Sequence, residues 1–319
     1  MRRDGAGKVD RIFIDGSAGT TGLEIRERLS GRRDVELVAL PENLRKDPSA
    51  RRDALNSCNV AFLCLPDEAA REAVGLVENP DVAIIDASTA HRTAVGWEYG
   101  FPELAGRRER IARSKRIANP GCHASGYIAL VEPLVRAGIL QKDAVPPAFS
   151  LTGYSGGGKK MIADYEEKLS SGDVQYSGGR QYALSQMHKH LPEIVSVCSL
   201  PAAPVFCPVI VPHARGMETT VLLSERDTSA SLDDIVSAYR DLYGAGNGVV
   251  RFMDASSGAG IVSSAAYAGR DGMAVCAYGA PGRIVLVALF DNLGKGASGA
   301  AIQNMNIVLS REETEGLRV

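Results

Sequence analysis

The residues best suited to chemistry gather in one short stretch, Ile117-Ala118-Asn119-Pro120-Gly121-Cys122-His123-Ala124-Ser125-Gly126. An apolar pair leads into a Pro-Gly turn, and a cysteine follows where a helical pattern through Tyr127, Ile128, Leu130, Val131, Leu134 and Val135 begins. That spacing predicts Cys122 at the positive end of a helix, where unpaired N–H groups and the macrodipole favour an anion. A thiolate is such an anion and is the nucleophilic form of cysteine. The plain alternative is a small thiol packed into a strand-to-helix corner. His188 and His190, in His188-Lys189-His190-Leu191-Pro192-Glu193, stand at i and i+2 and would face one side of a strand or extended segment. Proton transfer is their better use, since imidazole titrates near neutrality and no acid-rich cluster offers further metal ligands. No metal site is expected.

Two glycine-rich stretches could hold anions. Gly16-Ser17-Ala18-Gly19-Thr20-Thr21-Gly22 follows the apolar run Arg11 to Asp15 and precedes a helical period through Leu23, Ile25 and Leu29. Its spacing is G-x-x-G-x-x-G rather than the dinucleotide G-x-G-x-x-G, but a strand-to-helix turn lets bare N–H groups approach a pyrophosphate. A tight turn without ligand is the alternative. Downstream, Glu42 offers one acid, while Arg45 and Lys46 offer two bases suited to a ribose 2′-phosphate, which favours NADP. Thr152 to Lys160, with Ser155-Gly156-Gly157-Gly158-Lys159 at its centre, reads as a loop presenting N–H groups and a lysine to an anion, or as a flexible hairpin.

The elements that must position these residues fall into two grammars. Strands at Arg11 to Asp15, Val35 to Leu40, Asn59 to Leu65 and Val82 to Ile85 alternate with helices, one of them capped by Asp67. This predicts an α/β unit with a Rossmann-type, doubly wound parallel sheet. After Cys122, strands at Ala148 to Leu151, Val205 to Val211, Thr219 to Leu223, Gly248 to Phe252, Met273 to Ala277 and Ile284 to Phe290 are interrupted by one clear helix, Ser231 to Gly244. An α+β unit with a mixed or antiparallel sheet is expected there, and Ala297 to Leu309 is apolar at helical spacing.

Length and composition agree. A chain of 319 residues has room for about two domains. With 45% hydrophobic and 23% charged residues it reads as soluble and globular. A formal charge of −2 argues against nucleic acid and against a polybasic membrane surface. No run reaches membrane-span length, and Met1-Arg2-Arg3 leads into Asp4, Gly5 and Lys8 rather than an apolar leader, so a cytoplasmic protein is expected. The six cysteines lack C-x-x-C spacing, which disfavours metal pairs and disulfides.

Asn119-Pro120-Gly121-Cys122, the Ser155 to Lys159 loop, the His188 to Glu193 segment, Ala214-Arg215-Gly216-Met217 and Asp291 to Ala300 together resemble the N-acetyl-gamma-glutamyl-phosphate reductases, most closely their shorter bacterial subgroup. The resemblance runs from about Ile12 to Asn306. It implies a two-domain plan of the glyceraldehyde-phosphate dehydrogenase-like kind: residues 1–120 and 298–319 bind the dinucleotide, and residues 121–297 form the catalytic, substrate and oligomerisation unit. The implied activity is NADPH-dependent reduction of N-acetyl-gamma-glutamyl phosphate to the semialdehyde and phosphate through a cysteine thioacyl intermediate, in arginine biosynthesis, by a homodimer or homotetramer. Cys122 becomes the nucleophile, and His188 and His190 share proton transfer and substrate orientation, in an order the sequence leaves open. Ser155, Lys159 and Arg215 are candidate substrate ligands, Lys159 and Arg215 suiting the leaving phosphate or the substrate carboxylate, with solvated surface charge as the plain alternative. Cofactor contacts fall on Gly16 to Gly22, Arg45, Lys46, Ser88, Asn292 and Gly294. Longer members carry a histidine where Val209 stands here; His213 lies four residues on. A homologous acyl phosphate of the lysine or aspartate-semialdehyde pathways, and a non-catalytic NADP-binding regulator, are the alternatives.

Overall fold

The computed structural model describes residues 9–244, 248–254 and 260–319. The opening residues read above against a leader lie outside them. Strands β1 (Asp10–Asp15), β2 (Val35–Val38), β3 (Val60–Leu63), β4 (Ala83–Asp86), β5 (Glu98–Tyr99) and β6 (Arg116–Ala118) form a parallel sheet in the order β2-β1-β3-β4-β6-β5. β3 and β4 are buried along their whole length, as parallel strands covered on both faces must be. Helices α1 (Thr20–Leu29), α2 (Pro48–Asn56) and α3 (Asp67–Gly75) supply cover. Asp67 is not a cap: it opens α3 behind Pro66, and its carboxylate accepts from the N–H and hydroxyl of Thr89, a partner that sequence spacing cannot reveal.

The second sheet is mixed: β7 (Ala148–Gly153), β8 (Arg180–Gln181), β9 (Phe206–Val211), β10 (Met217–Ser224), β11 (Val250–Phe252), β12 (Met273–Ala280) and β13 (Arg283–Phe290), ordered β11-β12-β13-β10-β7-β9-β8. Its inner face packs on α5 (Cys122–Arg136) and α8 (Leu232–Tyr243), around Tyr127, Leu130, Tyr239 and Phe290. Ser231 closes a reciprocal capping box with Asp234 at the start of α8.

Four helices were not legible in sequence: α2, α4 (Arg107–Arg113), α6 (Gly158–Ser170) and α7 (Leu191–Cys198). α6 buries only Tyr165 fully, so no apolar stripe announces it, and α7 is eight residues long and opens with Leu191-Pro192. The stretch expected as one loop therefore splits, with Lys159 and Lys160 inside the first turn of α6. The last helix, α9 (Gly299–Val308), buries Ala301, Ile302 and Met305 in the core beneath the first sheet, beside Ile12, Ile25 and Ile117.

Candidate functional site

The edge strand pair β5 and β6 delivers the chain to Cys122. After Ala118, Asn119 donates its backbone N–H to Asp86 and its side-chain amide to the carbonyl of Ala297, which pins the turn. Gly121 then caps α5, and Cys122 is its first residue, as the spacing predicted. No side chain larger than hydrogen fits at 121, because a Cβ there would meet Arg92, His190 and Glu193. Cys122 opens on a cavity of about 280 Å³ with Arg92, Tyr182, His188, Lys189 and His190. Burial pushes the Cys122 thiol up, against the opposing pull of the His123 N–H and the positive charges of Arg92 and Lys189. Desolvation is the largest of these effects, so burial favours the thiol where the helix N-terminus favours a thiolate.

His188 and His190 do not lie on a strand. They sit on the turn leading into α7, His190 being its N-cap, yet their rings converge at 4.7 Å. His190 donates its backbone N–H to Nδ1 of His188. Burial holds both imidazoles neutral: His188 falls to about 4, helped by Lys189, and His190 is lowered well below the usual range, helped by Arg92. Neutral imidazoles can take a proton from a neutral thiol.

Three residues that the sequence reading did not use complete this arrangement. Arg92 donates to the carbonyls of Asn119 and Ala87 and pairs with Glu193 at 2.6 Å. Glu193, 1% exposed, also accepts from the Gly121 N–H and the Tyr99 hydroxyl. His123, fully enclosed, bonds Ser150 on one side and Tyr182 on the other, both at 2.7 Å. The only signal for Glu193 and His123 was adjacency, since both stand in the motifs quoted above, and Arg92 had none.

From this cavity a trough runs along the carboxyl ends of the first sheet. Gly19 to Gly22 face Ser155 to Gly158 across a space shared with Cys64, Ala87 and Leu293. Gly16 takes a positive φ of 84° and touches the Cys64 carbonyl, which closes the turn. Thr20, in the first turn of α1, keeps a buried hydroxyl oxygen with no partner, facing that space. A further cavity of about 620 Å³ lies beyond, lined by Gly16, Ser17, Ala18, Arg26, Arg45 and Lys46 among others. An unpaired hydroxyl at a helix N-terminus followed by a basic pocket fits a dinucleotide.

Several expected ligands lie elsewhere. The Arg215 guanidinium is engaged by Asp291, in two bonds of 2.9 Å, and by Glu24. It lines a neighbouring cleft with Lys159, Glu24 and Arg28, outside the cavity of Cys122. Arg92 is the guanidinium that faces the thiol. Ser88 is spent on Asp86, to which it donates both N–H and hydroxyl, so that Ala87 presents the surface instead. Asn292 does line the cavity, held by the Gly216 N–H and the Ser155 hydroxyl. Gly294 is packed against the Arg270 carbonyl, and Gly296 is the turn glycine beside Cys122. His213 pairs with Ser264 and does not reach the cavity, so it does not stand in for the histidine absent at Val209. Among the described residues, no group of three or more His, Cys, Asp or Glu side chains is placed to hold a metal, and no helix is long and apolar enough to cross a membrane.

Residues 122–292 match the family model of the semialdehyde dehydrogenase dimerisation domain, and residues 40–114 that of the semialdehyde dehydrogenase NAD-binding domain. The chain is 42% identical over 311 residues to N-acetyl-gamma-glutamyl-phosphate reductase 2 of Pseudomonas putida, covering 96% of this chain and 98% of that one. It is 43% identical over 309 residues to N-acetyl-gamma-glutamyl-phosphate reductase of Brucella ovis, covering 94% and 99%. Among solved structures, aspartate semialdehyde dehydrogenase II of Vibrio cholerae superposes with a TM-score of 0.72 at 17% identity, over 95% of this chain and 99% of that one. The Candida albicans aspartate semialdehyde dehydrogenase with NADP gives 0.66 at 15%, over 95% and 99%. These likenesses show the fold.

Proposed function

The chain belongs to the N-acetyl-gamma-glutamyl-phosphate reductase family, and from that premise we propose that it reduces N-acetyl-gamma-glutamyl phosphate with NADPH, releasing phosphate and the 5-semialdehyde, as a step of arginine biosynthesis. The observation that carries this reading is a cysteine at a helix N-terminus, sharing one cavity with two neutral imidazoles at the end of a nucleotide-shaped trough.

An imidazole takes the Cys122 proton and the sulfur attacks the acyl carbon; a C–S bond forms, the C–O bond to phosphate breaks, and phosphate leaves, taking up one proton from solvent. Lys189 and Arg92 line the cavity from which the anion departs, Arg92 with its charge already paired by Glu193. A coenzyme held in the trough would supply the hydride. The Cys122 N–H, unpaired at the start of α5, holds the oxyanion that results, and donors of this kind contribute about 2.7–4 kcal/mol. Collapse expels the aldehyde, and the imidazole returns the proton to sulfur.

Arg26, Arg45 and Lys46 in the basic pocket favour NADP over NAD. The proposed division of labour, residues 1–120 with 298–319 against 121–297, draws support from α9, which packs in the first core with Ile12 and Ile117, while Tyr99, Phe101 and Leu104 pack across into the second. Phe149 and Leu222, 45% and 37% exposed on the outer face of the second sheet, are the surface on which a second copy would pair, giving a homodimer or homotetramer. All six cysteines are free, which suits the cytoplasm.

The deciding experiment follows nicotinamide absorbance with N-acetylglutamate semialdehyde and phosphate, using both coenzymes and aspartate semialdehyde as competitor substrate. Turnover is expected with the acetylated semialdehyde and NADP. Preference for aspartate semialdehyde would overturn the substrate. Cys122→Ser is expected to keep coenzyme binding and lose roughly a thousandfold or more in kcat; near-normal turnover would remove the covalent step.

A further inference from the structure

From the wall of the cavity a row of polar groups runs inward that a thiol and a single base would not require. Thr219 Oγ1 lies 3.0 Å from Ser150 Oγ, which lies 2.7 Å from His123 Nδ1. His123 Nε2 is 2.7 Å from the Tyr182 hydroxyl, which is 3.4 Å from His188 Nε2. Apart from Tyr182, the side chains of this row are buried. Taken alone, hydroxyls and neutral imidazoles can run in either direction, because each is both donor and acceptor.

One contact removes that freedom. The backbone N–H of His190 points at His188 Nδ1 at 3.1 Å, and a peptide N–H can only donate. Nδ1 of His188 is therefore bare, and its proton is on Nε2, directed at the Tyr182 oxygen. Tyr182, accepting there at 3.4 Å, keeps its one proton for the shorter contact, His123 Nε2 at 2.7 Å, and in that arrangement His123 carries its proton on Nδ1 and donates to Ser150. The reverse polarity would place two protons between His188 Nδ1 and the His190 amide.

We propose that this polarised chain locks His188 in the Nε2–H tautomer and leaves His190 as the only imidazole that exchanges a proton with Cys122. His188 can accept a proton only at Nδ1, where it would displace the His190 N–H. It orients substrate or Tyr182 instead, and His123 is a positioning residue that acts through Tyr182. His190 is free of such a lock: its Nδ1 is buried without a hydrogen-bond partner, its Nε2 packs over Gly121, the residue before Cys122, and it lines the same cavity as the thiol. The charged and titratable groups facing His190 are Arg92 and Glu193 across Gly121, Lys189 and His188 on its own turn, and His123 and Cys122 on α5. The assignment of roles rests on the reaction proposed above, whereas the tautomers do not.

The test is a two-bond proton–nitrogen correlation spectrum of the full-length protein labelled with 15N histidine at neutral pH, with His188→Asn and His123→Asn used to assign signals and Tyr182→Phe as the substitution least disruptive to the fold. His188 should show a protonated Nε2 and a pyridine-like Nδ1, His123 the opposite. In Tyr182→Phe the His123 signals should shift toward a tautomer mixture. A His188 protonated on Nδ1 overturns the chain, whether or not the protein turns over any substrate. In the kinetic arm, His190→Asn should lose the acid-side fall of the kcat profile along with about a hundredfold or more in kcat. His188→Asn should keep that fall and raise KM. Loss of the fall in His188→Asn instead would overturn the assignment to His190.

Discussion

At the scale of single residues, two opposing effects act on Cys122. The helix N-terminus, the His123 N–H, Arg92 and Lys189 favour a thiolate, while desolvation favours the thiol and prevails. Iodoacetamide should therefore label the free protein slowly at neutral pH and faster as pH rises above the ordinary thiol range, a profile read by mass spectrometry; rapid labelling that is flat from pH 6 to 9 would contradict it. Arg215 poses a different choice. Its sequence neighbourhood suggests a carboxylate or phosphate ligand, whereas its guanidinium is fixed between Asp291, 0% exposed, and Glu24. Arg215→Ala should cost about 1–3 kcal/mol in stability, seen as a lower midpoint of thermal unfolding, with KM for the acyl phosphate within a few-fold. A large KM effect with unchanged stability would restore the ligand role.

At the scale of elements, the turn Gly294–Ser298 matters most, because it leads into α9 and touches the nucleophile. A Cβ on Gly296 would stand 2.9 Å from that of Cys122, and one on Gly294 would strike the Arg270 carbonyl. Gly296→Ala should lower kcat/KM by about tenfold or more while the protein stays folded, since a displacement near 1 Å at the reacting atoms has effects of that order or larger. Gly294→Ala should instead lower the unfolding midpoint. The same turn buries Lys295 against Glu103 and Gln303, tying the turn to the segment after β5 and to α9. α1 and α5 were legible because each follows a glycine turn with a regular apolar period. α6 was not, because a helix that buries one side chain fully leaves no stripe to read.

At the scale of the molecule, three imidazoles are enclosed in one region, and burial lowers all of them from 6.5. The unfolded chain binds protons at these groups where the folded chain does not, so stability rises with pH across that window. It is fully present above about pH 6.5 and is lost as pH falls toward 4, the value for His188. The thermal midpoint should drop over that range, and the drop should shrink in His188→Asn; a flat midpoint from pH 7 to 4 would contradict this. The sequence by itself determined what local chemistry encodes: the alternation that makes a parallel sheet, the turn that sets Cys122 at a helix start, and the glycine run that opens α1. Only the tertiary structure decided which groups surround the sulfur. Arg92, Glu193, Tyr182 and His190 come from segments distant in sequence, and their pairing, tautomers and desolvation depend on distances that no local pattern carries.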